Sequence, residues 1–96
     1  MAFSDQHIAL IAHGGQGNFK LWHYLTADAP ATVDTAGYFD AKARELGLGD
    51  LILVVRVDDP AAPTAVNAVG WHVVVSNDGT TVDVSDATAI GLTDTD

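Results

Sequence analysis

The 96-residue chain has no cysteine, so disulfides and thiolate metal sites are excluded and folding needs no oxidation. Bases are nearly as scarce: four Lys and Arg stand against thirteen Asp and Glu, a formal net charge of −9. That balance argues against binding nucleic acid, which needs cations to displace condensed counterions. It argues equally against docking on anionic membranes. No apolar run approaches the ~20 residues of a transmembrane helix. Met1 to Asp5 carry neither a basic stretch nor a long apolar segment, so no signal peptide is expected. Charged residues make up only 18% of the chain, little for a small monomer with so much surface, and this hints at self-association.

What is present is the composition of a folded protein. Hydrophobic residues are 48% and mean hydropathy is +0.19, too apolar for disorder. Length sets one domain, 1–96, with a flexible N-terminal segment (1–6) and an acidic C-terminal tail (about 85–96) as expectations. The acidity is uneven: residues 58–96 carry seven acids and no base, while all four bases fall in 1–57. Aspartates outnumber glutamates twelve to one, which favours turns over helices.

Periodicity gives the elements. His7 to His13 reads as a short apolar strand, followed by a turn or loop over Gly14 to Asn18. Phe19 to Thr26 is the clearest strand: Phe19, Leu21, His23 and Leu25 share one face, and Lys20, Trp22, Tyr24 and Thr26 the other. Both faces carry large side chains: one set suits the core, and the other either a neighbouring subunit or the second side of a two-sided core, in a sandwich or under the helix. A turn covers Thr26 to Thr32. A three-turn helix is then expected, capped by Asp34 or Thr35 and ended by Gly47, with Ala36, Phe39, Ala43 and Leu46 as its apolar stripe. Asp40 and Arg44 are spaced as a surface pair on it. Leu51 to Val57 is a buried central strand, and Asp58 to Pro63 a loop. Ala65 to Ser76 is a long strand with a bend or bulge expected at Gly70. Asn77-Asp78-Gly79 turns a hairpin into Thr80 to Val84, and the tail has room for one more short strand. The fold class is α+β: a mainly antiparallel sheet or small β-sandwich with one short helix.

Catalytic chemistry finds little support. His7 and His13 lie ~20 Å apart on a regular strand, too far to share an ion. The glycine run at 14–18 lacks the Lys and Ser/Thr of a phosphate loop and leads to a strand. Ser4, Ser76 and Ser85 sit in no nucleophile elbow. Asp83, Asp86, Asp94 and Asp96 lack the spacing of a calcium loop. No enzyme activity, metal or cofactor is expected. The two Trp-His pairs, Trp22-His23 and Trp71-His72, have unlike flanks and do not mark a repeat.

One resemblance enters between Phe19 and Val54. Lys20-Leu21-Trp22-His23-Tyr24, Thr26-Ala27-Asp28, the run Ala31 to Asp40 and Leu48-Gly49-Asp50-Leu51-Ile52 form a pattern: an aromatic strand, a T-x-D turn, a V-x-x-A/S-G-Y-F helix start and a G-D-x-I strand entry. It resembles a family of small virion structural proteins of tailed bacteriophages and prophages, of head-decoration or head-fibre type. The resemblance covers the middle of the chain and carries no active site. It implies a capsid decoration (cement) protein on the outer head surface, assembled in the host cytoplasm. Its partners would be the major capsid protein and further copies of itself, as a homotrimer. The alternative is a trimeric head-fibre or tail-fibre module that binds a host surface. Phe19, Trp22, Tyr24, Tyr38 and Phe39 are the candidates for the oligomer or capsid interface, since aromatic residues anchor such contacts.

Overall fold

The computed structural model describes residue 3, residues 7–13 and residues 20–92. Within these the chain is a β-rich α+β protein built on one mixed sheet. Its strands are β1 (Ile8–His13), β2 (Lys20–Thr26), β3 (Leu51–Val57), β4 (Val66–Asn77), β5 (Val82–Val84) and β6 (Thr88–Ile90). The order is β1-β2-β3-β4-β5, and β6 also pairs with β4. β3 occupies one side of β4 from Val66 to Val73, so β6, pairing at Val69 to Trp71, takes the other side. All pairings are antiparallel except β2 with β3. A parallel pair needs a crossover, and residues 27–50 supply it.

The crossover is where sequence periodicity misleads. The only α-helix among the described residues is a single turn, α1 (Pro30–Val33), within the stretch expected to be a turn. Proline at the first helical position starts it with a preset φ. Asp34 is its C-cap rather than the N-cap of a longer helix. From there the chain runs through turns and a short 3-10 segment, Asp40–Lys42. Gly37 has φ +90°, outside the helical region, and its N–H donates to the Val82 carbonyl at 3.0 Å instead of back along a helix. Asp40 completes that join, its Oδ1 accepting from the Val82 N–H at 2.8 Å. Hydrogen bonds to β5 thus replace helical ones. The expected apolar stripe survives in part: Phe39, Ala43 and Leu46 are buried, but Ala36 is exposed and Val33 fills the core instead.

Glycine explains a second difference. No bulge occurs at Gly70, which pairs regularly with Val54. The register breaks lie on either side, opposite Arg56/Val57 and between Val74 and Ser76. Gly70 instead admits β6: a Cβ there would stand 3.1 Å from the Ala87 Cβ and 3.3 Å from the Thr88 carbonyl oxygen. Bare backbone lets the short last strand lie against β4.

The core lies between the crossover and one face of the sheet. Trp22, Tyr24, Ile52, Val54 and Val74 point into it from β2, β3 and β4, and Val82 and Val84 from β5. Val33, Phe39, Ala43 and Leu46 close it from the crossover. At one end Asn77 ties the layers together, its amide donating to the carbonyls of Ala43 (2.8 Å) and Leu46 (2.5 Å). The 58–65 loop is held by Asp58, which accepts from the Thr64 hydroxyl and from the N–H groups of Thr64 (2.9 Å) and Ala65 (3.2 Å). Those donors hold its carboxyl well below the usual range.

Candidate functional site

The candidate interface aromatics sit mostly inside. Trp22, Tyr24 and Phe39 are 6%, 0% and 1% exposed, and Tyr38 is half-buried. Phe19 lies outside the described residues, as do the Gly14 to Asn18 loop and the end of the acidic tail. Tyr24, Tyr38 and Phe39 meet each other edge-on at centroid distances of 5.0–6.1 Å, and Phe3 stacks on Tyr24 at 5.3 Å. The contact surface that these rings would bring to a partner is taken up by the chain's own core.

A polar chain runs out of this cluster. The Tyr38 hydroxyl donates to Asp28 Oδ2 at 2.5 Å. That uses its one proton, so the Tyr24 hydroxyl, 2.8 Å away, is the donor to the Tyr38 oxygen. Burial first, then the hydrogen bond to Asp28, pushes the Tyr38 phenol far above its ordinary value of 10.0. Asp28 is 4% exposed, and its Oδ1 has no hydrogen-bond partner among the described residues. Beside it lies a cavity of about 150 Å³, walled by Pro30, Val54, Val69 and Ala89 with Asp28, Arg56 and His72 at its margin. Arg56 Nε is already engaged by the Ala27 carbonyl at 3.2 Å. His72 Nδ1 is 2.8 Å from the Ser85 carbonyl, which only accepts, so Nδ1 carries the proton. The group braces the β2–α1 turn against the sheet.

Tyr38→Phe tests the brace. It leaves both Asp28 oxygens unpartnered in a buried site and removes the acceptor of Tyr24, a cost of about 1–3 kcal/mol in urea unfolding. It should also change the alkaline limb of stability. With the folded-state value raised, the Tyr38 contribution is complete below pH 10 and is lost as pH rises above it, because only the unfolded chain ionises there. Titration by absorbance at 295 nm should show a phenolate that appears together with unfolding in wild type and is missing in the variant.

The other face of the sheet is different in kind. Cross-strand partners share a face, and three rows follow from the register. Ala12, Leu21, Leu51 and Val73 form the first. Ala9, His23, Leu53, Trp71 and Thr88 form the second. Leu25, Val55, Val69 and Ile90 form the third. No position in these rows is Asp, Glu, Lys or Arg; Asp83, half-buried opposite Ser76 on β5, lies beyond them on the same face. None is buried: the β2, β3 and β4 members are half-buried, and Ile90 at the margin is 39% exposed. The two Trp-His pairs sit in opposite phase, Trp22 and His72 in the core and His23 and Trp71 on this face. Sequence alternation on β2 marks two apolar faces; it does not mark which one the crossover covers.

At the edge of the same sheet, β1 pairs only with β2 among the described residues, with Leu10 and Ile11 exposed at 47% and 60%. The acids keep to other places. Asp58 and Asp59 lie in the β3–β4 loop, Asp78 in the β4–β5 turn and Asp86 before β6, all exposed. Among the described residues no three of His, Asp and Glu come together as a metal site, and no helix is long and apolar enough to cross a membrane.

Among the described residues, fold and surface define a small α+β protein with one covered sheet face and one open, largely apolar one. Compared with protein-family models, curated proteins and solved structures, the chain matches none.

Proposed function

We propose that the protein is a structural, assembling protein rather than a catalyst, and that it serves as a bacteriophage capsid decoration protein. The observation that carries the assembly reading is the open sheet face, set opposite the core, whose three central rows hold no Asp, Glu, Lys or Arg. An apolar patch of this size marks a contact surface. The resemblance of residues 19–54 to virion structural proteins supplies the setting: the outer surface of the head, with the major capsid protein and further copies of the chain as partners. Strand addition at the exposed β1 edge is a ready route to the capsid, since main-chain pairing needs only an unpaired strand. Many weak sites then bind tightly through avidity. The acidic loops remain in water or meet a basic capsid patch.

Copy number in purified particles tests the role. A decoration protein is present at a stoichiometry near that of the major capsid protein, and heads lacking it rupture more readily on heating or osmotic shock. A handful of copies, with adsorption lost and head stability unchanged, would overturn this reading in favour of a head-fibre or tail-fibre module that binds the host surface.

A further inference from the structure

We propose that the open face of the sheet packs against the same face of a second copy, giving a two-fold, face-to-face dimer; this rests on the assembly reading above and names its first partner.

Three observations lead to a copy of the chain itself. The first is the pairing of the central strands. β2 and β3 are parallel, and β3 (LILVVRV) is apolar on both sides apart from Arg56. A strand that is apolar on both sides suits a position covered on both faces. Here the crossover covers one.

The second is charge. The chain carries −9 overall, so two copies repel across most of their surfaces. Across the three rows they do not, because the rows hold no Asp, Glu, Lys or Arg; Asp83, half-buried opposite Ser76 on β5, lies outside them at the margin of the face. A partner recognised by its charge would find little to pair with in these rows. An identical apolar face meets its requirements in full.

The third is area. The rows span ~20 Å across the strands and ~20 Å along them, about 400 Å² in plan. With side-chain relief, closing two such faces buries on the order of 1,200 Å² in total, the lower end of stable specific interfaces. Two sheets packed in this way lie ~10 Å apart, the spacing of an ordinary sandwich core. A flat face is self-complementary under a two-fold axis, which places Leu53 and Trp71, in the middle row, near the centre of the contact.

Analytical ultracentrifugation of the full chain decides the matter. Wild type should sediment at twice 10.0 kDa, and its melting temperature should rise with protein concentration. Leu53→Lys brings two like charges together across the axis and should weaken pairing about a hundredfold or more. Leu48→Lys, at a 73% exposed position in the turn before β3, should leave the dimer intact. Circular dichroism checks that each variant folds; if Leu53→Lys does not, Leu25→Lys carries the same expectation. A wild type that stays monomeric, forms a trimer, or keeps its dimer in a folded Leu53→Lys variant would overturn the proposal. The two readings fail separately. A monomer that still coats heads sinks the dimer alone, and a dimer that leaves heads bare sinks the decoration role alone.

Discussion

Asp50→Ala is expected to bring the protein close to unfolding at room temperature. Asp50 is 1% exposed, and its Oδ2 accepts from Trp22 Nε1 at 3.1 Å and from the Gly47 N–H at 2.8 Å. Lys20 Nζ stands 3.9 Å from the same oxygen and donates to the Glu45 carbonyl at 2.6 Å. One carboxyl oxygen therefore joins β2, the end of the crossover and the start of β3. Backbone bonds extend the clasp: the Gly49 N–H donates to the Val74 carbonyl, and the Val74 N–H to the Asp50 carbonyl, both at 2.9 Å. Gly49 is suited to this tight turn by its φ of +87°. Alanine leaves two donors without an acceptor, at about 1–3 kcal/mol each. A loss of about 3–5 kcal/mol takes most of the stability of a small domain. Asp50→Asn can present its carbonyl oxygen to both donors and should lose only about 1 kcal/mol. Urea unfolding of the three proteins measures the difference, and equal midpoints for wild type and Asp50→Ala would show that the clasp does not hold the fold.

Trp22→Ala should be comparably severe. The indole is 6% exposed and belongs to the main core cluster, so its removal leaves a cavity and costs about 3–5 kcal/mol. Trp22→Phe separates packing from polarity: it keeps much of the volume and loses the bond to Asp50, for about 1–2 kcal/mol. Because Trp22 and Asp50 touch, the double variant should fall short of the sum of the two single losses. Unchanged melting of Trp22→Ala would contradict the placement of this face in the core. The dimer adds a further contrast. Trp22→Ala should lower the melting temperature at every protein concentration, whereas a charge on the open face should lower it most at high concentration, where wild type is paired.

Much of the architecture is legible in the residues alone. Aromatic enrichment in Phe19 to Thr26 and the β-branched run Leu51 to Val57 mark β2 and β3, because such residues favour strands and a short apolar run reads directly as one. Asn77-Asp78-Gly79 marks its hairpin for a local reason. Asp78 accepts from the N–H groups of Thr80 (3.0 Å) and Thr81 (2.8 Å), and Gly79 takes φ +97°. The short final strand is legible from Ala89-Ile90. What misleads is the crossover, where Phe39, Ala43 and Leu46 carry helical spacing but the backbone partner of Gly37 lies far off in sequence at Val82. Asp50 gives no signal beyond its place in a turn, since an acid in a turn is ordinarily exposed.

By itself, then, the sequence determined the strand-rich class, the exclusion of disulfides and thiolate sites, and the fact that β2 presents two apolar faces. All of these follow from residue types and local periodicity. Only the tertiary structure decided which face is closed. The parallel pairing of β2 with β3 carries the crossover across Trp22 and Tyr24, and it leaves Leu21, His23 and Leu25 in the open rows with Leu53 and Trp71. Alternation is symmetric between the two faces of a strand, so nothing local distinguishes them. The distinction is made by where a connection some two dozen residues long comes to rest, and on this chain that choice separates a core from a docking surface.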